Sequence, residues 1–292
     1  MGQYYKFMNL DKKQRCDRNQ HMLKLLEHSY LENEYCMDIL SLLSDKWKGD
    51  RVLHVGDYAE GNDNTTTCKV IEKIEKDYKL DRTVYNWQDG FEDIKPEKKQ
   101  NKIRYVYNLD KKEYIDLLKQ PIQWFWLEKN KIHFSKFNSF ALLIGCGNEQ
   151  GGGDYYLANH LQVGSWAGDH FVSSETFLKD YEDFKENNFI FNEELGISKN
   201  RRKYDKRNER IILFYEEKAF LEFLERIREC KDYDVNKFKI QSHSLTDNEK
   251  ERLEDFFDRY KSFINNHEEH LKDEEEILKF DEKRLKEMEQ SI

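Results

Sequence analysis

Two short sequence blocks occur twice in the chain, in the same order, and this repetition constrains the fold more than any other feature. The block MNLDKKQ at residues 8–14 returns as YNLDKKE at residues 107–113. Downstream of each copy, the motif Trp-x-Gly-Asp at residues 47–50 returns at residues 166–169. An ordered repeat of this kind indicates an internal duplication, in which each copy forms one supersecondary unit.

The residues between these blocks predict both strands and helices. Apolar residues recur at spacings of three, four and seven over residues 19–43, which predicts a helix. In the second copy, residues 103–109 and 113–118 predict two strands of a hairpin, and residues 174–187 predict a helix. One copy alone offers few strands and a thin core. We therefore predict an α+β fold with two tandem copies of a small strand, hairpin and helix unit packed together, followed by a helical C-terminal extension.

The predicted boundaries are a first repeat at residues 1–98, a second repeat at 99–198, and a basic linker with the helical extension at 199–292. The extension carries the capping-box pattern of Thr246 followed three residues later by Glu249. The apolar stripe that follows has coiled-coil spacing, although polar residues interrupt it. We expect this helix to provide the surface for a protein partner or for self-association.

Composition excludes several classes of protein. The chain has 292 residues and a net charge of −9, which argues against a general nucleic-acid binder. Its five cysteines are scattered and odd in number, so neither a disulfide framework nor a structural zinc site is expected. The sequence shows no signal peptide and no apolar run of membrane-spanning length. These features favour a cytoplasmic protein that does not interact with membranes.

The repeated Trp-x-Gly-Asp motif has two interpretations. In the structural one, the tryptophan anchors the segment, the glycine forms the turn, and the aspartate binds turn backbone amides. The structural motif then comprises Trp47, Gly49, Asp50, Trp166, Gly168 and Asp169. In the alternative, carboxylates bind magnesium, manganese or iron, and the metal ligands are Asp50, Asp57, Asp154 and Asp169.

A glycine-rich stretch at residues 145–154 is the best candidate for ligand binding. Its backbone N–H groups could bind an anion, as phosphate-binding loops do. It matches neither a Walker motif nor a dinucleotide fingerprint. The candidate ligand-binding residues are Gly151, Gly152, Gly153, Asp154, Asp169 and His170. The other interpretation is a loop that passes close to another backbone segment.

Several motifs together resemble a family of uncharacterised proteins that occur in bacteria, in protists and in large DNA viruses. The resemblance rests on GQYYK at residues 2–6, the two blocks above, and GNEQGGGDY at 147–155, and it covers residues 1–180. It implies an architecture but no mechanism. The family usually has arginine where this chain has His170, so an anion site formed by that arginine would be lost here.

The lysine- and asparagine-rich composition suits an AT-rich genome such as that of a giant virus, which would place the protein in the host cytoplasm or the virion. The leading hypothesis is a non-catalytic binding or scaffold protein. The alternative is a metal-dependent hydrolase or a phosphate-ligand-binding enzyme that uses the aspartate-rich turns. The sequence identifies neither a cofactor nor a substrate.

Overall fold

The chain forms two compact units. The computed structural model describes residues 4–16, 24–29, 31, 33–59, 66–97, 102–120, 122–128, 131–147, 163–187, 220–221, 224, 238–242 and 245–267. The first unit comprises residues 1–120 and 136–202, and the second comprises 121–135 and 203–292. Both predicted repeats thus fall mainly in one unit, while residues 121–135 of the second repeat belong with the C-terminal extension.

Helices and strands are mixed along the chain, so the fold class is α+β as predicted. The strands are β1 (Tyr5–Asn9), β2 (Gln14–Cys16), β3 (Val52–Gly56), β4 (Glu92–Ile94), β5 (Tyr105–Asn108), β6 (Glu113–Asp116), β7 (Ile122–Glu128), β8 (Lys131–Lys136), β9 (Gly145–Cys146), β10 (Phe171–Ser174), β11 (Lys185–Glu186) and β12 (Lys239–Ser242). The helices are α1 (Leu25–His28), α2 (Glu34–Ser44), α3 (Thr66–Asp77), α4 (Val84–Trp87), α5 (Ser139–Leu143) and α6 (Asp247–His267).

Two sheets of the first unit pair their strands in matching ways. Their strand orders are β4-β2-β1-β3-β9 and β10-β5-β6-β11. In the first sheet, β1 is antiparallel to both β2 and β3, and Asn9 lies opposite Gln14 and Val52. In the second, β5 is antiparallel to both β6 and β10, and Asn108 lies opposite Glu113 and Phe171. A parallel strand follows on the outside of each hairpin, β4 beside β2 and β11 beside β6.

The repeated NLDKK block forms the turn of each hairpin. The Asn9 side-chain oxygen accepts from the backbone N–H groups of Asp11 and Lys12 at 3.0 and 2.9 Å. The Asn108 oxygen accepts from the corresponding amides of the second block at 3.1 and 2.9 Å. The last lysine of each block has a left-handed backbone, with φ 49° at Lys13 and 51° at Lys112. These local contacts match; that the halves are tandem copies of one unit stays a prediction.

The main core of the first unit lies around α2 and the two motif tryptophans. Trp47 and Trp166 are fully buried. The apolar side of α2 contributes Ile39, Leu40 and Leu43 to the same cluster. Each buried aliphatic or aromatic side chain contributes roughly 1.5–3 kcal/mol through removal of apolar area from water. The tryptophans of the repeated motif therefore belong to the main apolar core of the unit.

The second unit has its own core, which includes one side of α6. Its sheet has the order β12-β8-β7. The capping box at the start of α6 forms as predicted, because the Glu249 carboxylate accepts from the Thr246 backbone N–H at 2.8 Å. Leu253, Phe257 and Tyr260 of α6 are buried in this core. The described part of the predicted partner helix thus packs within its own unit, and residues 268–292 lie outside the described residues.

Two helix predictions were wrong, one in its extent and the other entirely. Residues 19–43 do not form one helix, because the Asn33 side chain accepts from the N–H groups of Tyr35 and Cys36 and so starts α2 as a separate helix. Residues 174–187 form bends, a 3₁₀ turn and β11 instead of a helix. There, β11 pairs with β6, so its backbone hydrogen bonds go to a sheet.

None of the helices among the described residues combines the length and the apolar character that a membrane crossing requires.

Candidate functional site

The two Trp-x-Gly-Asp turns lie against each other, joined by reciprocal backbone hydrogen bonds. We call residues 47–51 and 166–170 the turn pair. The Gly49 N–H donates to the Phe171 carbonyl at 2.7 Å, and the Gly168 N–H donates to the Val52 carbonyl at 3.0 Å. At the centre, Arg51 and His170 form an antiparallel bridge. The motif residues of the two halves thus come together in space.

Each motif aspartate binds the hairpin of its own half. The Asp50 carboxylate accepts from the Asn9 side chain at 2.7 Å and pairs with Lys12 at 2.7 Å. The Asp169 carboxylate accepts from the Asn108 side chain at 2.8 Å and faces Lys111 at 3.5 Å. We expected bonds to the amides of the aspartate's own turn; the carboxylates instead bind the asparagines that organise the hairpin turns.

The motif tryptophans and glycines also make matching contacts. The Trp47 indole N–H donates to the Gln14 side chain at 2.9 Å, and the Trp166 indole donates to Glu113 at 3.0 Å. Gly49 and Gly168 have φ values of 80° and 77°, a conformation that favours glycine. These contacts agree with the structural interpretation of the motif.

The side chain of the residue after each Gly-Asp contacts an aspartate of its own half. The Arg51 guanidinium donates to Asp11 through Nε at 2.8 Å and Nη2 at 2.6 Å, and Nη2 also contacts the Tyr78 hydroxyl. The His170 Nδ1 lies 2.8 Å from Asp110. An arginine at position 170 would therefore have Asp110 as its partner.

The same contacts shift the pKa values of the aspartates in and beside the turn pair. Burial raises the pKa of Asp11, but the hydrogen bonds and charge of Arg51 outweigh it, so the pKa lies below its ordinary value. Burial likewise raises the pKa of Asp110, and the hydrogen bonds from His170 bring it below the ordinary value. For Asp169 burial dominates, and its pKa is raised in spite of Asn108 and Lys111.

The other predicted metal ligands have different surroundings. Asp57 lies at the end of β3, where its carboxylate accepts from the Tyr4 N–H at 3.0 Å and its own N–H donates to the Tyr4 carbonyl. Asp57 thus ties the end of β3 to the start of β1. Asp154 lies outside the described residues. Within the described part of the chain, no three His, Cys, Asp or Glu side chains are grouped to hold a metal ion.

The glycine-rich stretch leaves the first sheet beside β3. Its first two residues form β9, which is parallel to β3, with Gly145 opposite His54. The carboxyl ends of parallel strands are a common place for ligands. A Cβ at Gly145 would meet Leu25 Cδ1 at 3.0 Å and the Ala141 carbonyl at 3.2 Å. The backbone at Gly145 therefore packs closely against another backbone segment. Gly151, Gly152, Gly153 and Asp154 lie outside the described residues.

A buried pair of histidines is the polar feature that sequence reasoning missed. His54 Nε2 lies 2.8 Å from His28 Nδ1, and His54 Nδ1 lies 3.1 Å from the Ala141 carbonyl. The His54 ring stacks on Phe7 with centroids 3.8 Å apart. Burial lowers the pKa of His28 to about 3, and burial together with His28 holds the pKa of His54 well below its ordinary value. Both rings are therefore neutral at pH 7.

The pair gave little sequence signal. His54 stands between Asp50 and Asp57 in the chain, but its side chain lies in the core and its ring nitrogens bind His28 and the Ala141 carbonyl instead of either aspartate. Its partner His28 comes from a separate helix 26 residues away. A contact at that separation depends on tertiary packing.

A partly exposed group of aromatic residues lies on the second sheet. We call Tyr105, Tyr114, Phe177 and Arg104 the aromatic surface. Phe177 is 40% exposed, and its ring contacts Tyr105 and Tyr114 with centroids 5.5 and 5.3 Å apart. The Arg104 guanidinium stacks on Tyr105 at 4.9 Å. Sequence analysis did not identify this surface, because its residues come from three separate segments.

Comparisons with family models, curated proteins and solved structures returned no match for this chain. The resemblance to a family of uncharacterised proteins therefore stays a prediction.

Proposed function

We propose that the protein is a non-catalytic binding or scaffold protein. The observation that carries this proposal is the use of both motif carboxylates in the hairpins. Asp50 is bound by Asn9 and Lys12, and Asp169 by Asn108 and Lys111. Carboxylates that serve as metal ligands or as acid-base groups need a coordination position or a substrate in reach. Here one oxygen of each carboxylate, Oδ2, is already bound by the asparagine and the lysine of its hairpin, where it stabilises the fold.

The aromatic surface supports a protein as the binding partner. Tyrosine, phenylalanine and arginine are enriched at the centres of protein interfaces, where they supply most of the binding energy. Nearby basic side chains are already paired with acids: Arg104 with Asp116 at 2.7 Å and Lys119 with Glu186 at 2.8 Å. With its cations neutralised, this surface does not suit a phosphate backbone, which needs unpaired positive charge.

A thermal-shift experiment tests the non-catalytic proposal against the metal-dependent alternative. The full chain and the Asp50→Ala and Asp169→Ala variants are melted with and without magnesium, manganese and nucleotides. We expect each variant to melt about 3–10 °C lower through the lost buried hydrogen bonds. Asp180→Ala, which removes an exposed acid, should leave the melting temperature unchanged.

The metal ions and nucleotides should shift neither the wild type nor the variants. A metal-dependent rise in the wild-type melting temperature that Asp50→Ala or Asp169→Ala abolishes would establish the alternative function.

Site-specific crosslinking tests the aromatic surface. A photo-reactive amino acid replaces Phe177 in one variant and Tyr58, which is 38% exposed, in a matched control. We expect a discrete protein adduct from position 177 that disappears when Tyr114→Ser is added. Equal adducts from positions 177 and 58, or an adduct insensitive to Tyr114→Ser, would exclude this surface as the binding site.

A further inference from the structure

Four buried polar side-chain atoms lie near the junction of α1 and α5 without a hydrogen-bond partner among the described residues. They are His28 Nε2, Asn138 Nδ2, Asn138 Oδ1 and Ser139 Oγ. All three side chains belong to residues that are fully buried. A buried polar atom without a partner costs roughly 1–3 kcal/mol, and the large majority of buried side-chain polar atoms in folded proteins bond to protein or to ordered water. Four such atoms in one region therefore indicate that another molecule forms hydrogen bonds with them.

Main-chain and thiol contacts bring these residues together. The Asn138 N–H donates to the Ser29 carbonyl at 2.5 Å, which places the start of α5 beside the end of α1. The Cys36 thiol donates to the His28 carbonyl at 3.1 Å. The Asn138 side chain also lies near the Cys36 thiol and acts to lower its pKa, while the larger effect of burial raises it; the Asn138 amide nevertheless lacks hydrogen-bond geometry to any described group. Cys36 thus connects His28 with Asn138.

The hydrogen bonds of His54 determine what His28 can bind. A carbonyl oxygen only accepts, so His54 Nδ1 carries the proton that it shares with Ala141. Neutral His54 then accepts at Nε2, and His28 donates to it from Nδ1. This leaves a lone pair on His28 Nε2, which needs a hydrogen-bond donor.

The neighbouring groups restrict the chemistry of that donor. Asn138 offers one acceptor and two donors, and the Ser139 hydroxyl offers both functions. No carboxylate and no charged side chain is among the groups with unsatisfied atoms here, which disfavours an ion. A small neutral molecule that both donates and accepts fits all of them. We propose that this cluster is an internal water site, in which ordered water donates to His28 Nε2 and bonds to Asn138 and Ser139.

Comparison of two buried serines tests the proposal. Ser173 donates to the Leu40 carbonyl at 2.5 Å, so Ser173→Ala removes a hydrogen bond that is present within the protein. We expect Ser139→Ala to raise the unfolding equilibrium constant of the full chain about two- to tenfold, as Ser173→Ala does. Alanine has a higher helix propensity than serine, so the change in propensity alone would stabilise the protein and cannot cause the expected loss of stability. An unchanged or lower constant for Ser139→Ala would mean that the hydroxyl has no partner, and would overturn the proposal.

A high-resolution crystal structure of the full chain gives a second, independent readout. We expect density for water within hydrogen-bond distance of His28 Nε2 and of the Asn138 amide. Direct hydrogen bonds between these side chains, with no density between them, would also overturn the proposal.

Discussion

Arg51 and His170 lie opposite each other in an antiparallel bridge, and each also binds the aspartate of its own hairpin turn. The residue after Gly-Asp therefore has two structural roles. Its backbone joins the two halves of the turn pair, while its side chain holds Asp11 or Asp110. Because the backbone bonds across the pair are reciprocal, the geometry of one turn depends on that of the other.

The motif glycines give the first prediction. Alanine at a φ near +80° is strained, so Gly49→Ala and Gly168→Ala should each lower the free energy of unfolding by about 1–2 kcal/mol. No atom lies within 4 Å of a Cβ at Gly49, so the effect there is one of backbone conformation alone. Gly90→Ala is the matched control, since Gly90 has neither a left-handed backbone nor a close neighbour. Urea denaturation measures all three, and equal stabilities would refute the proposed strain.

The contact between His170 and Asp110 gives another prediction. His170→Arg should let the guanidinium bind Asp110 as Arg51 binds Asp11, with two donors in a planar arrangement. Because the pair is largely exposed, we expect a gain of only about 0.3–1 kcal/mol in the free energy of unfolding. The gain should shrink at high salt. Arg51→His is the reverse change and should cost a similar amount; a loss of stability in His170→Arg would contradict the proposed equivalence.

Close packing at the start of the glycine-rich stretch gives a third prediction. A Cβ at Gly145 would lie 3.2 and 3.3 Å from the carbonyls of Ala141 and Leu142, which cannot move without disturbing α5. Gly145→Ala should therefore lower the free energy of unfolding by roughly 1–3 kcal/mol through overpacking. Gly90→Ala is again the control in the same urea experiment. A stability equal to that of the wild type would show that α5 adapts without cost.

Local patterns in the sequence predicted local structure well. The hairpin predicted at residues 103–109 and 113–118 corresponds to β5 and β6, and Thr246 with Glu249 placed the start of α6. Matching residue types in the two NLDKK blocks also correspond to matching contacts of Asn9 and Asn108. Each of these features depends on residues a few positions apart, so the sequence carries the information directly.

The remaining features depend on contacts between distant residues. Residues 174–187 have helical character, but the Tyr107 hydroxyl accepts from the Leu178 N–H and β11 pairs with β6, so sheet contacts prevail. The His28–His54 bond and the aromatic surface likewise join separate segments. The motif aspartates were expected to bind amides of their own turns, and their asparagine partners, 41 and 61 residues away, could not be predicted from spacing.

The buried histidine pair makes the stability of the fold depend on pH above the range where carboxylates titrate. Folding lowers the pKa of His28 to about 3 and that of His54 well below its ordinary value, so the unfolded chain binds more protons. The stability that this pair provides is therefore fully present only above the ordinary histidine pKa of about 6.5 and falls as the pH decreases through it, by about 2 kcal/mol for His28 by pH 5 and in the same direction for His54. Urea denaturation across this range measures the slope. His28→Phe combined with His54→Phe should flatten it, whereas the control His170→Gln, at an exposed position, should retain it. A wild-type stability that stays constant from pH 7 to pH 5 would contradict a neutral, buried pair.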